Sequence, residues 1–246
     1  MELYIIRHGQ STNNALMDDQ RFRVYDPDLT EIGHQQAQYT AEYLANSVNL
    51  EQLVSYPADS PHRNGAHRHT FTHIYCSPMK RAMQTAAPIA EALGMIPEVW
   101  VDIHEHGGVF LEEDGVVKGY GGMTRNEIET EFPEYVLPDE ITDHGWWKTD
   151  QGKEDIMMCN ARAMRVSKAL RQRAAIETSF DDKVALVTHG AFVDALIKSL
   201  LNLLPGERYY HWHYNTGITR FDFIKNGMMI VRYINRISHL PPELVT

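Results

Sequence analysis

Arg7-His8-Gly9 and His189-Gly190 are the stretches of this chain whose residue types and placing are best suited to chemistry. Each His-Gly pair follows a short apolar run, Leu3-Tyr4-Ile5-Ile6 before the first and Val184-Ala185-Leu186-Val187 before the second. Runs this short, with few polar residues on either face, predict buried parallel strands. In an open α/β sheet the loop at the carboxyl end of a strand faces the ligand crevice. An imidazole at that point can attack an electrophile, and a neighbouring guanidinium can grip an anion through two parallel hydrogen bonds. Gly9 lets the backbone turn or approach a ligand closely, and Gln10-Ser11-Thr12-Asn13-Asn14 places hydroxyls and amides at a helix start, where anions bind well.

Either His-Gly pair alone is a common loop fragment. Arg81 strengthens the case, because it falls in the first turn of a helix opening at Met79, just after a predicted strand over Phe71–Cys76. Glu105, between His104 and His106, follows a third predicted strand over Glu98–Asp102. Two imidazoles, two guanidiniums and a carboxyl, all at strand ends, make a coherent anion pocket. A rival reading uses His104, Glu105, His106 and His189, with His211 and His213, as a metallohydrolase centre, since His-x-His on a strand puts both rings on one face. Arg7 and Arg81 count against it, because a guanidinium is a poor neighbour for a metal cation.

The elements that must position these groups can be read in order. Asp26-Pro27-Asp28-Leu29-Thr30 predicts a turn into a helix capped by Thr30 and running through Leu44, with Gly33 unusual near its start. Residues 55–70 lack apolar periodicity and hold His62, Arg63, His67, Arg68 and His69. They predict an inserted surface loop, with metal or phosphate binding as the sharper alternative. The helix from Met79 meets Pro88 and stops at Gly94. Residues 109–152 predict a lid-like excursion, including a helix capped by Thr124, with Trp146 and Trp147 either packed beneath it or lining a substrate wall. A long helix over Glu154–Thr178, an apolar helix over Ala191–Leu203, and three antiparallel strands over Tyr210–Asn215, Ile218–Ile224 and Met228–Ile234 complete the chain, Asn226-Gly227 forming the last hairpin turn. The expected fold is α/β, a three-layer α/β/α sandwich with a mostly parallel central sheet, in one domain over 1–246.

Composition limits the partners. With 246 residues and 43% apolar content the chain can bury one large core. A formal charge of −10 argues against nucleic acid, whose binding calls for a basic face, yet allows a small anion in a local basic pocket. Only Cys76 and Cys159 are present, which suits a reducing cytoplasm, and no apolar run reaches membrane-spanning length.

The chain resembles the histidine phosphatase superfamily, which includes cofactor-dependent phosphoglycerate mutases. The resemblance rests on Arg7-His8-Gly9, Asp28-Leu29-Thr30 with Gly33 and Gln36-Ala37, Ser77-Pro78 with Arg81 and Gln84-Thr85-Ala86, Glu105, His189-Gly190 and Asn215-Thr216, in family order. It implies a phosphoglycerate mutase-like fold and a phosphohistidine mechanism on His8. Arg7, Arg81, His189 and Gly190 would hold phosphate, Asn14 would join them by resemblance alone, and Glu105 would serve as general acid and base. Neither metal nor cofactor is called for. Gln10 and His106-Gly107-Gly108 depart from the mutase pattern of Glu after Arg-His-Gly and an Arg-His-Tyr-Gly run after the acid. Only scattered Lys118, Arg125, Lys148 and Lys153 are available for a bisphosphate. The expectation is therefore a phosphomonoesterase acting on a small phosphorylated metabolite, with mutase activity, or a non-catalytic phosphate-binding module, as the alternatives. The substrate and the oligomeric state are not legible.

Overall fold

A computed structural model of the chain describes residues 1–16, 20–46, 69–179, 181–206, 209–224 and 227–246. At its centre lies β1 (Glu2–Arg7), whose Leu3, Tyr4, Ile5 and Ile6 are all buried. It is covered on both faces because none of these side chains can be left in water cheaply. Leu3 and Ile5 point into one core and Tyr4 and Ile6 into the other, the alternation a strand imposes.

After β1 the chain turns into a one-turn helix α1 (Thr12–Ala15), capped by Ser11, and then α2 (Glu31–Asn46). Thr30 caps α2 through its Oγ1, which accepts from the Gly33 amide at 3.0 Å. β2 (His73–Cys76) leads into α3 (Lys80–Leu93), and Pro88 is accommodated without ending that helix. Gly94, with φ of 64°, closes it in the left-handed conformation that glycine favours. β3 (Glu98–Val99) precedes a separate hairpin of β4 (Phe110–Glu113) and β5 (Val116–Gly119), then α4 (Arg125–Glu131) under a Thr124–Glu127 capping box. α5 (Ile156–Ala174), β6 (Lys183–Thr188), α6 (Gly190–Leu200), β7 (Ile218–Phe223) and β8 (Met229–Arg236) follow.

The sheet order is β3-β2-β6-β1-β7-β8. The first four strands run parallel, with Arg7 paired to Thr188 and Cys76 to Val187, so three strand ends converge on one edge. β7 and β8 are antiparallel additions. Helices α2 and α3 pack on the face of Tyr4, Ile6 and Val187, whereas α5 and α6 pack on that of Leu3, Ile5 and Leu186. The fold is the expected three-layer α/β/α sandwich with a mostly parallel central sheet.

The chain departs from the expected elements in several places. The third strand stops at Val99, where its partner β2 has ended, and Val101–Ile103 forms a 3₁₀ turn instead. α5 and α6 are shorter than expected, ending at Ala174 and Leu200. Tyr210–Asn215 is not a strand. Side chains take up its backbone groups in place of a neighbouring strand, Asp194 accepting from the His211 amide and Arg7 donating to the His213 carbonyl. Trp146 and Trp147 are buried, and Trp147 donates its indole N–H to the Gly152 carbonyl at 2.9 Å. They pack beneath the excursion. Most of the 55–70 loop, with His62, Arg63, His67 and Arg68, and Asn226 of the last turn, lies outside the described residues.

Candidate active site

His8 ends up buried because the sheet edge closes around it. Its backbone N–H donates to Thr188 at 2.8 Å and its carbonyl accepts from the Asn215 side-chain amide at 2.9 Å, so the end of β6 and the segment before β7 both hold the loop. Gly9 is forced by packing. A Cβ there would lie 2.5 Å from the Gly33 carbonyl oxygen, and one on Gly33 would lie 2.1 Å from that of Gln10. The two glycines thus let α2 touch the loop backbone. The Gly9 amide donates to Thr85 Oγ1 on α3 at 3.0 Å.

The His8 ring is oriented from both ends. Nδ1 lies 2.6 Å from the Gly9 carbonyl oxygen, and Arg81 Nε lies 3.2 Å from Nε2. A carbonyl can only accept and a guanidinium can only donate, so the proton resides on Nδ1 and Nε2 presents its lone pair. Burial, reinforced by the positive charges of Arg81 and Arg7, holds the His8 pKa well below the usual histidine range. The ring is neutral at physiological pH, as a nucleophile must be.

Arg81 enters from the first turn of α3. One Nη lies 3.5 Å from the Asp26 carboxylate, which also accepts from the Lys80 amide at 3.2 Å. Burial pushes the Asp26 carboxyl up to about 6, although Arg81 pulls the other way. Arg7 donates through Nη1 to the His213 carbonyl, and its buried Nε has no partner among the described residues. That unsatisfied donor sits beside Gly190, where a Cβ would come within 3.3 Å of it.

His189 is fully buried, its ring centroid 4.9 Å from that of His8. Nε2 contacts Ser77 Oγ at 2.7 Å, while Nδ1 is unpartnered among the described residues. Burial first, then Arg81, holds this ring neutral as well. Glu105 is gripped at the N-terminus of α6. Its Oε1 accepts from the amides of His106 at 2.8 Å and Phe192 at 3.0 Å, and its Oε2 faces the Ala191 amide at 3.4 Å. The carboxylate offsets the positive end of the helix macrodipole.

Of these groups, Arg81 and Glu105 line a cleft of about 650 Å³. Arg21, Arg23, Tyr25 and Asn13 also line it, together with the β4–β5 hairpin and Lys153. Asn14 lies at the start of α1 and is exposed. Its amide oxygen caps α1 by accepting from the Ser11 amide at 3.1 Å and lies 3.4 Å from Asn215 Nδ2, and Asn13 lines the cleft. Two of the four cations that line the cleft among the described residues, Arg21 and Arg23, were missed from sequence, because no apolar pattern marks their segment. Of those counted for a bisphosphate, only Lys153 reaches it. Arg125 is spent on Glu129 and on the carbonyls of Pro138 and Ile141.

The histidines of the rival metal reading are engaged separately. His104 contacts the Glu105 carbonyl, His211 contacts Asp194, and His213 contacts the His211 carbonyl and Thr219. Among the described residues no three His, Cys, Asp or Glu side chains are grouped to hold an ion.

A family model described as histidine phosphatase superfamily (branch 1) matches residues 3–59 and 63–236. A PE-PGRS family protein of Mycobacterium tuberculosis is 37% identical over 106 residues, 43% of this chain and 14% of that much longer protein. Phosphoglycerate mutase-like protein 4 of Arabidopsis thaliana is 23% identical, covering 97% of this chain and 86% of its own. The 5''-phosphoribostamycin phosphatase of Niallia circulans is 24% identical over 98% of both chains. Among solved structures, phosphoserine phosphatase of Entamoeba histolytica superposes with a TM-score of 0.54 at 21% identity, covering 98% of this chain and 99% of its own.

Proposed function

Because the chain belongs to the histidine phosphatase superfamily (branch 1), we propose that it is a metal-independent phosphomonoesterase that works through a phosphohistidine on His8. The observation that carries this reading is the setting of the His8 ring, with Nδ1 2.6 Å from the Gly9 carbonyl oxygen and Nε2 3.2 Å from Arg81 Nε, an arrangement that leaves the lone pair on Nε2. In the first step Nε2 bonds to phosphorus as the bond to the leaving oxygen breaks, and Glu105, as the carboxylic acid, gives that oxygen its proton. In the second, water attacks phosphorus and yields a proton to the Glu105 carboxylate, and the N–P bond breaks. Arg81 Nε, the spare Nε of Arg7 and the open Nδ1 of His189 supply donors for the phosphoryl oxygens, where most catalysis of phosphoryl transfer arises. Gly190 lets Arg7 lie against the start of α6, and Asn14 acts one step removed, through Asn215 and the loop.

Hydrolysis is favoured over mutase chemistry by the composition of the cleft wall. Glu112, Glu113 and Asp114 on the β4–β5 hairpin face the same space as Arg21, Arg23 and Lys153, and Glu112 pairs with Lys153 at 3.3 Å. Carboxylates there offset the cations that a bisphosphorylated intermediate would need for its second phosphate. The substrate is a small phosphorylated metabolite, and residues 1–246 act as one catalytic unit with 109–152 forming a wall of the cleft. A cytoplasmic setting is supported by two buried free thiols, that of Cys159 pushed up by burial to about 12. Among the described residues no helix is long and apolar enough to cross a membrane.

Hydrolysis of an aryl phosphate with a chelator present tests the reading. The wild type should turn over and His8→Ala should not. Loss of the wild-type rate on chelation, or a His8→Ala variant with unchanged activity, would overturn it.

A further inference from the structure

Arg162 lies on α5 with only 2% of its surface exposed, and the mechanism above makes no use of it. Its guanidinium is fully engaged. Nη1 donates to the carbonyls of Asp102 at 2.8 Å and His104 at 2.9 Å. Nε and Nη2 form a bidentate pair with the Glu154 carboxylate at 2.9 and 2.6 Å, and Nη2 also faces Cys159 Sγ at 3.8 Å. The guanidinium carbon stands 4.5 Å from the ring centroid of Phe192.

What these contacts share is Glu105. Asp102 and His104 belong to the loop that arrives at it. Glu154, equally buried, donates its backbone N–H to the Gly107 carbonyl at 3.0 Å and so fastens the loop that leaves it. Phe192 carries the amide that binds Glu105 Oε1. Stability alone is a weak reason to keep such a pair, since a buried ion pair often adds no more than well-packed apolar residues of similar volume would. A lysine could not replace the arginine, because an ammonium has three donors and no planar fork.

We propose that the buried Arg162–Glu154 pair is the positioning device for Glu105, fixing where its carboxyl stands relative to the leaving oxygen without touching substrate. This rests on the phosphomonoesterase reading and on Glu105 as its general acid. The device matters most where the leaving group needs a proton. A nitrophenolate departs with little help, whereas an alkoxide is too basic to leave unprotonated.

The test compares first-turnover rates, by rapid quench, for 4-nitrophenyl phosphate and 2-glycerophosphate in wild type, Glu105→Gln, Arg162→Lys and Glu154→Gln. Glu154→Gln keeps the side-chain volume and guards against an Arg162 variant that does not fold, as judged by circular dichroism. In both pair variants the 2-glycerophosphate rate should fall about a hundredfold, within the range general acid catalysis supplies. The 4-nitrophenyl phosphate rate should fall less than about fivefold, and KM should hold for both substrates. Equal losses on the two substrates, or no loss, would overturn the proposal. If Glu105→Gln shows no such selectivity, or wild type hydrolyses neither substrate, it is the underlying reading that fails, and the positioning role falls with it.

Discussion

Asp26 shows how much of this site is decided one residue away from the groups that would meet phosphate. Its carboxylate faces Arg81, which in turn faces the lone pair of His8. Because burial raises Asp26 to about 6, it is charged above that pH and neutral below it. His8 is held neutral well below its usual range, so it contributes no titration near 6.5. We therefore expect kcat to decline several-fold as pH falls through about 6, and Asp26→Asn to be slower but flat across the same range. A pH profile of kcat from 5 to 8 decides this, and an inflection that persists unchanged in Asp26→Asn would refute it. Arg81→Lys should lower kcat by about 10²–10³, the usual cost of losing one preorganised donor, as steady-state kinetics would show. Arg7, His8, Arg81, Glu105, His189 and Gly190 could be singled out in the sequence because they lie at or after the ends of predicted strands and match motifs in the family's order. Asp26 was read merely as part of a turn, since nothing local announces which cation a turn carboxylate will meet. Arg162 did leave a signal, a charged residue on the stripe formed by Cys159, Ala163, Val166 and Leu170, all buried on α5.

At the scale of elements, the site depends on backbones that touch. The His8 loop and α2 meet through Gly9 and Gly33 with no room for a methyl group on either. Gly33→Ala should destabilise the fold by about 1–3 kcal/mol, as overpacking does, and should also lower kcat, because the displaced backbone is that of Gln10 beside His8. Urea denaturation paired with kinetics checks both effects, and a variant with wild-type stability would count against this account of the contact. The sequence marked Gly33 as odd but could not say why, since the partner lies over twenty residues away. Strand lengths were misjudged for a similar reason. β3 ends where β2 ends, and Tyr210–Asn215 is kept from a sheet by the side chains of Asp194 and Arg7, both distant in sequence.

For the molecule as a whole, burial of neutral histidines predicts sensitivity to acid. His8, His104 and His189 are held well below their usual range, and His213 and His239 at about 4, in each case mainly by burial. The unfolded chain binds protons at these sites below about pH 6.5 and the folded chain does not, so stability is lost as pH falls from there. His213 and His239 alone should each contribute about 3 kcal/mol between pH 6.5 and 4. Asp26 works in the opposite sense, losing its proton in the unfolded chain near 3.8 and in the folded chain near 6, but one group cannot offset five. Tm measured from pH 7 to 4.5 should therefore fall throughout, and less steeply in His239→Phe. A flat profile would contradict this. The layers, the parallel sheet edge and the converging strand ends could all be read from periodicity and motif order. The cleft wall could not, because the 109–152 excursion folds around Trp146, Trp147 and closely packed glycines and not around a repeating pattern.

The central claim is that the phosphoryl group rests on His8 between two displacements. The most direct measurement is to mix the protein with a ³²P-labelled phosphomonoester, quench in alkali within the first turnover, and map the labelled peptide. Label is expected on the peptide containing His8, stable in base and lost in acid as a phosphoramidate should be. Product formation without such label, or label that survives acid or sits on another residue, would contradict it.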